Sequence, residues 1–289
     1  MAAGRDSPGP VAIAARRAYP SLSRKHQQLA RLLAKDEPAA AFLSAAALGA
    51  RVKADPATVV RFARAIGFDG YTDLQRAIRR RLPQYPTFLE KVEHDGAASP
   101  NVAILRRALE QDGQNLQRAA TTLDPEAFSA SVSLLVRARR IVVASGGVSQ
   151  SPAAYLVSSL RMIGLDIREA PPGIASAHEL AQLEGGDVVV AIGFYRYLAT
   201  TAHALRRAKA RSSGRIAITD NPLSPLAALA EHVLVVPVES TSHRVSLAAP
   251  MALVHALVAA VSARRHAPTV RALRRVDEEY RDAGLVLAE

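Results

Sequence analysis

The stretch FLSAAALGARVKADPATVVRFARAIGF, residues 42–68, decides the fold of the first part of the chain. Its apolar residues are spaced as in two short helices joined by a tight turn, with Leu48 facing inward from the first helix and Phe62 from the second. Asp55 is expected to accept hydrogen bonds from free backbone N–H groups at the start of the second helix. Pro56 suits the first helical turn, where its missing N–H costs nothing. The stretch therefore predicts a pair of helices with a capped second member.

The outward face of this second helix carries small, hydroxyl and arginine side chains, which a helix-turn-helix uses to meet base edges and phosphates. A plain helical hairpin with a cationic solvent face is the competing interpretation, but the cap, the apolar spacing and the outward arginines together favour DNA binding. Lys53 occupies a turn position where glycine is common, so it must adopt a left-handed conformation at some cost or reshape the turn. The residues predicted to contact double-stranded DNA are Lys53, Ala57, Thr58, Val60, Arg61 and Arg64.

Positive charge is concentrated in the same part of the chain. The 289 residues carry a formal net charge of +11, of which +8 lies in residues 1–90. Such a balance favours a polyanionic partner. The run formed by Arg76, Arg79, Arg80 and Arg81 suits phosphate contact, although a solvated helix end, where cations favour the helix dipole, explains it equally well.

Composition excludes several classes of protein. The chain has no cysteine, so neither a disulfide framework nor a cysteine zinc site is possible. Charged residues interrupt the N-terminus, which lacks the apolar core of a signal peptide. The longest apolar run, residues 246–262, contains His255 and is too short for a membrane span. We therefore expect a cytoplasmic protein with no membrane partner and no cofactor.

Turn residues and changes of periodicity divide the chain into segments. The beginning is rich in glycine, proline and serine, which is typical of disorder. Helical periodicity follows as far as Leu82, and residues 84–100 are linker-like. The predicted segments are a disordered tail over residues 1–10, an all-helical helix-turn-helix domain over 11–83, a linker and connecting helix over 84–120, and an α/β domain over 121–289.

Short apolar, β-branched runs alternate with helical stretches after Pro125. Strands that are apolar on both faces and are each followed by a helix indicate a parallel sheet covered on both sides. Five such strands predict a flavodoxin-like doubly wound fold, in which ligands bind at the switch point between the first and third strands. The predicted strand runs are 141–144, 165–168, 188–192, 216–219 and 233–236, and the predicted helices are 151–163, 177–183, 198–209, 222–230 and 246–262.

Three loops at the carboxyl ends of these strands suit a small anion. In the first, glycines let backbone N–H groups approach the ligand, serines add donors, and the following helix adds partial positive charge, although any such fold needs a small-residue turn there. In the second, Arg196 can pair with a phosphate or carboxylate, and Tyr195 or Tyr197 can stack on or hydrogen-bond a ring, although an arginine at an oligomer surface is the alternative. The third loop is rich in hydroxyl donors, as a surface loop also can be. The predicted ligand residues are Ser145, Gly146, Gly147, Ser149, Ser151, Tyr195, Arg196, Ser240 and Ser242.

Catalysis is the minority interpretation. A sugar isomerase needs a base near the substrate carbon, and the candidate groups stand in no recognisable catalytic spacing. His255 lies in an apolar helix and is expected to be a packed core or interface residue. Metalloprotease, hydrolase and P-loop patterns are missing from the sequence. The candidate bases are Glu239, His243, His255 and His178.

The chain from about Val11 to Arg265 resembles the RpiR/MurR family of bacterial transcription regulators. Residues 57–71, ATVVRFARAIGFDGY, resemble that family's recognition helix and the segment after it. The run IAITD that ends at Asp220, with SPLA and VVPVE after it, resembles the later half of a sugar isomerase (SIS) domain. The first SIS loop usually reads Gly-x-Gly-x-Ser, of which Gly147 and Ser149 match while Ser145 replaces the first glycine.

The resemblance implies a DNA-binding regulator whose SIS domain senses a metabolite, with a sugar phosphate as the family default. It also implies a homodimer or homotetramer joined through the SIS domains, for which the helix over residues 248–261 is a natural interface element. Phosphosugar-binding SIS domains usually carry a Ser-x-Ser-Gly-x-Thr cradle where this chain has GFYRYL, residues 193–198, so those phosphate contacts cannot be carried over. A sugar-phosphate isomerase and a non-specific nucleic-acid-binding protein are the alternatives.

Overall fold

The computed structural model describes residues 10–35, 40–41, 43–79, 101–171 and 173–285. The chain divides into two compact units at residue 94. Residues 1–9 of the tail predicted over residues 1–10, the linker-like residues 84–100, and Arg80 and Arg81 lie outside the described residues. The first unit is all helical where it is described: α1 Pro10–Ala18, α2 Arg24–Lys35, α3 Ala45–Ala50, α4 Pro56–Ala65 and α5 Tyr71–Arg79.

The predicted helix pair is α3 and α4. Ser44 caps α3, since its hydroxyl accepts the Ala47 N–H at 3.1 Å, and Asp55 caps α4 in the same way. Leu48 and Phe62 are fully buried, as are three leucines of α2 and α5. The apolar spacing of the sequence therefore identified the inward faces of both helices. The three leucines are Leu29, Leu33 and Leu74.

The turn between α3 and α4 is tight because two backbone segments touch. The Ala54 N–H donates to the Gly49 carbonyl at 2.9 Å, and a Cβ on Gly49 would lie 2.5 Å from the Ala54 carbonyl oxygen. Lys53 has φ +52°, so of the two alternatives left open for this position the left-handed conformation is the one observed. The tight turn therefore requires a left-handed conformation at Lys53 and a residue without a side chain at Gly49.

His26 of α2 packs edge-on against Phe62 of α4, with ring centroids 5.7 Å apart. Burial lowers the pKa of His26 from its ordinary value of 6.5, and the positive charge of Arg61 lowers it further. The imidazole therefore favours its neutral form where α2 meets the second helix of the pair.

The second unit is built on a five-stranded parallel sheet in the order β2-β1-β3-β4-β5. This is the flavodoxin-like order, so the predicted fold class is confirmed. The strands are β1 Ile141–Ala144, β2 Ile167–Ala170, β3 Val188–Ile192, β4 Gly214–Thr219 and β5 His232–Val235. The helices are α6 Asn101–Thr122, α7 Pro125–Arg137, α8 Gln150–Met162, α9 Ile174–Ala181, α10 Ala199–Ala210, α11 Ala248–Arg264 and α12 His266–Asp282.

Helices cover both faces of the sheet. On one face, large side chains of the strands, such as Val143 and Ile192, pack against α7, α8 and α11. On the other, smaller ones such as Ala144 and Ala191 pack against α9 and α10. The buried apolar side chains of α11, Leu253 among them, belong to the core on the first of these two faces. Because both faces are occupied, the open parts of the sheet are its strand ends.

Two predictions of local structure are corrected. The helix predicted over residues 222–230 is only a 3-10 turn, Ala227–Leu229, because Pro222 and Pro225 interrupt the hydrogen bonds of a regular helix. The strand predicted over residues 165–168 lies two residues later. No helix in the described part of the chain combines the length and hydropathy that a bilayer span requires.

Gly49→Ala is expected to destabilise the first unit by about 1–3 kcal/mol, since the new methyl group would overlap the Ala54 carbonyl. This loss should outweigh the gain in helix propensity. Amide hydrogen exchange of peptides covering residues 45–66 measures the local free energy of opening. Gly70→Ala is the matched control, because a Cβ there meets nothing within 4 Å. Equal protection in the two variants would contradict the prediction.

Lowering the pH should destabilise the first unit through His26. Since folding lowers the pKa of this imidazole, the unfolded chain binds more protons, and stability present above pH 6.5 is lost as the pH falls through the folded-state value. Thermal unfolding of the wild type and of His26→Gln between about pH 7.5 and 5.5 tests this. The variant should lose less stability over that range, and identical losses would refute the role of His26.

Candidate functional site

A hydrogen-bonded chain of three side chains lies at the start of α4. The carboxylate of Asp55 accepts the Thr58 backbone N–H at 2.7 Å and its hydroxyl at 2.9 Å, and the Arg61 guanidinium donates to that hydroxyl at 2.8 Å. The bonds from Thr58, first from its N–H, hold the pKa of Asp55 below its usual range, with a further lowering from Arg61. We call this set the Asp55–Thr58–Arg61 network. It orients an exposed guanidinium beside the helix N-terminus.

The structure places all six residues predicted to contact DNA on α4 or on the turn before it. Lys53, Ala57, Arg61 and Arg64 are exposed, whereas Thr58 and Val60 are half-buried. The Nε of Arg64 donates to the Asp69 carbonyl at 3.2 Å, which ties that side chain to the end of the helix. In the arginine run after α4, Arg76 pairs with Asp73 at 3.2 Å.

The carboxyl ends of β1 and β3 lie side by side in the second unit. Ala144 pairs with Ala191, so the loops after the two strands start next to each other. The chain leaves β1 towards β2 and leaves β3 towards β4, which makes this the switch point of the sheet. We call this place the crevice. The structure thus places the starts of the first two predicted loops side by side.

The loop after β1 turns sharply into α8. Gly147 has φ +60°, and a 3-10 turn over Gly147–Ser149 leads directly to the helix at Gln150. Ser149 is buried, Ser145 and Gly146 are half-buried, and Gly147 and Ser151 are exposed. The N-terminus of a thirteen-residue helix therefore opens at the crevice, where its partial positive charge favours an anion.

The loop after β3 is held by a residue that the site prediction missed. Asp220, at the end of β4, accepts the Tyr197 hydroxyl at 2.8 Å and the Tyr195 backbone N–H at 3.2 Å. The two tyrosine rings meet edge to face with centroids 6.4 Å apart. Arg196 lies between them in sequence and is exposed. The position of Asp220 directly after a predicted strand, at the same sheet edge, was the available signal.

The loop after β5 is tied to α6 instead. Ser240 and Ser242 lie 3.2 Å apart, hydroxyl to hydroxyl, and β4 separates their strand from β3. Asn115 of α6 is fully buried and donates to the Glu239 carbonyl at 2.7 Å. Arg118 pairs with both carboxylate oxygens of that glutamate. The contacts from Asn115 and Arg118 therefore pack α6 on the same unit, beside this loop.

The candidate bases lie on three elements: Glu239 and His243 on the loop after β5, His178 on α9 and His255 on α11. Glu239 is engaged by Arg118, and His178 is exposed on α9. His255 is exposed and meets the Tyr155 ring edge to face at 6.4 Å, so it is not a core residue, and the alternative of an interface residue stays a prediction. Within the described ranges no three histidine, aspartate or glutamate side chains are grouped closely enough to hold a metal ion.

Comparison with known proteins gives three kinds of match. The SIS domain family model matches residues 134–262. The sugar isomerase domain of an RpiR transcription factor from Sphaerobacter thermophilus is 30% identical, with a TM-score of 0.59 over 61% of this chain and 98% of that one. An uncharacterized HTH-type transcriptional regulator of Haemophilus influenzae is 25% identical over 75% of this chain and 76% of its own length.

The Vibrio vulnificus NanR protein, whose structure is a complex with ManNAc-6P, aligns over 96% of this chain and 100% of that one. The TM-score is 0.68 at 20% identity, a likeness of fold. The 30% identity to the Sphaerobacter domain, the SIS match, the Haemophilus relative and the helical first unit show that the chain belongs to the RpiR/MurR family of transcription regulators, with a C-terminal SIS domain.

Proposed function

We propose that the chain binds operator DNA through α4 and senses a small anionic metabolite in its SIS domain. The observation that carries the DNA-binding half is the Asp55–Thr58–Arg61 network, because it presents a guanidinium at the start of a capped helix. The same part of the chain holds most of the net positive charge. Double-stranded DNA is therefore the macromolecular partner in this proposal.

The roles of the α4 side chains follow from their chemistry. Arg61 and Arg64 contact bases or phosphates, and Thr58 contacts a phosphate. Ala57 and Val60 offer apolar contacts, for instance to a thymine methyl group. Lys53 lies beside them on the turn, where its ammonium adds phosphate attraction.

A second copy of the chain is the other macromolecular partner. Val102, Leu105 and Leu109 on α6 are each more than half exposed, and exposed apolar side chains on one helix face are a surface that another copy would cover. A symmetric dimer presents two copies of α4 to DNA, so the operator is pseudo-palindromic. A symmetric tetramer also contains such pairs of α4 and therefore fits this argument equally well.

The ligand of the crevice is a sugar phosphate or a related sugar acid. The N-terminus of α8 and the Gly147 turn supply backbone donors, and Arg196 supplies a cation. NanR, a neighbour in fold, is seen with a sugar phosphate. Asp220 keeps the loop around Arg196 in place through Tyr195 and Tyr197. In this proposal, the anchored arginine does the work of the serine and threonine cradle that phosphosugar-binding SIS domains usually carry.

Regulation in this proposal is a difference in ligand affinity. A metabolite that binds more tightly to one placement of the two DNA-binding units shifts the protein towards that placement. The proposal gives the SIS domain no catalytic step, because its candidate bases lie on three different elements and Glu239 is paired with Arg118. Turnover of aldose or ketose phosphates by the purified protein would favour an isomerase instead.

Arg61→Ala should weaken binding to a duplex selected from a random pool by about 1–3 kcal/mol, roughly 5- to 150-fold, if the guanidinium contacts a base. A gel-shift titration measures the change and its effect on selectivity. Arg281→Ala, which removes an equal charge from α12 in the other unit, should bind like the wild type. Unchanged affinity and selectivity in Arg61→Ala would reject this role, and a wild type that ignores duplex DNA in dilute buffer would reject the whole proposal.

Arg196→Ala should abolish the response to the effector while leaving DNA affinity unchanged, since the arginine belongs to the crevice and not to α4. A thermal-shift screen of sugar phosphates, sugar acids and amino acids first identifies the ligand, because specific binding raises the apparent melting temperature. Arg206→Ala, an exposed arginine on α10, is the matched control. An unaltered dose-response in Arg196→Ala would reject the assignment.

A further inference from the structure

A hollow of about 490 Å³ lies between α2 and the turn that joins α3 to α4. Its apolar lining includes Leu32 of α2 and Val52 of the turn. We call it the basic groove, because its rim carries the four cations Lys25, Arg31, Arg51 and Lys53.

Two of these cations are held in place by neighbouring groups. The ammonium of Lys25 donates to the carbonyls of Val52 and Lys53, at 2.9 and 3.1 Å. Arg31 donates from Nε to the Tyr19 hydroxyl at 2.6 Å, and its guanidinium carbon lies 5.7 Å from the centre of that ring. An ammonium has three N–H donors and a guanidinium five, so both groups retain donors for a further partner.

Among the described residues, no acid balances the charge of the groove. Within the residues that the structure describes, none of the four cations pairs with a carboxylate. Four like charges around one hollow repel each other, and an anion placed among them relieves that repulsion. The groove is therefore suited to a negatively charged ligand.

The groove adjoins the surface proposed to contact bases. Lys53 stands two residues before Asp55 in the chain, and His26, the residue after Lys25, packs on Phe62 of α4. The positive charge of Arg61 acts on that same histidine. A polyanion that meets the start of α4 therefore comes close to the groove.

We infer that the basic groove binds the phosphodiester backbone of one DNA strand, as a contact separate from the base-facing residues of α4. The inference rests on the proposed DNA binding and adds Lys25, Arg31 and Arg51 to it. Phosphate contacts carry no sequence information, so the groove contributes affinity and register while α4 supplies selectivity. A free phosphate ion offers the same chemistry, and the experiment distinguishes the two sources.

The experiment measures how the DNA affinity of the full chain depends on salt. Arg31→Ala and Arg51→Ala should each reduce the slope of log affinity against log salt by about one, between about 50 and 200 mM salt. The loss of affinity should be the same for a selected duplex and for a scrambled one. Arg51→Lys should keep the wild-type slope, because it keeps the charge. Arg16→Ala, an exposed cation on α1 outside the groove, should keep it as well.

Slopes in Arg31→Ala and Arg51→Ala that equal the wild-type slope would overturn the inference. Protection of residues 24–35 from hydrogen exchange by inorganic phosphate, combined with an unchanged DNA slope, would also overturn it and assign the groove to a free anion. If wild-type DNA binding and the effect of Arg61→Ala persist in either case, the inference alone fails. If the wild type binds no duplex, the proposed function fails with it.

Discussion

The parallel sheet of the second unit must be covered on both faces, and the rest of that unit follows from this requirement. Its strands carry apolar side chains on both sides, so α7, α8 and α11 pack on one face while α9 and α10 pack on the other. Only the strand ends remain open. At the amino end of β3, the fully buried Asp187 pairs with Arg139 and Arg140, which closes that edge. The ligand site that we propose lies at the carboxyl edge, where the chain leaves β1 and β3 in opposite directions along the sheet.

The helical unit rests on a contact of a different kind. Gly49 and Ala54 approach so closely that no side chain fits between them, and this approach sets how α3 and α4 meet. The same geometry forces Lys53 into a left-handed conformation, where its carbonyl receives the Lys25 ammonium. The turn thus determines both where the α4 network points and where the basic groove forms. The strained conformation of Lys53 is thus stabilised by a hydrogen bond from Lys25, which lies 28 residues earlier in the chain on α2.

Much of the secondary structure could be predicted because it depends on local patterns in the sequence. Period and composition located the strands, and Asp55 followed by Pro56 marked the start of α4. The prediction of a helix over residues 222–230 is wrong because it gave more weight to the apolar residues of this stretch than to its two prolines. Asp220 and Arg118 were missed as parts of the site because their partners lie on other elements: Tyr197 on the loop after β3, and Glu239 beyond β5. No periodicity in one segment encodes such a partner.

By itself, the sequence determined which faces of the helices and strands are buried, where α4 begins, and that the sheet is parallel. These properties depend on spacing and backbone chemistry within a few residues. Only the tertiary structure decided that Lys25 bonds to the α3–α4 turn, that Arg31 lines the same hollow, and that α6 packs on the loop after β5. Contacts of this kind join residues far apart in the chain. They depend on how whole elements pack, which the pattern along one segment does not contain.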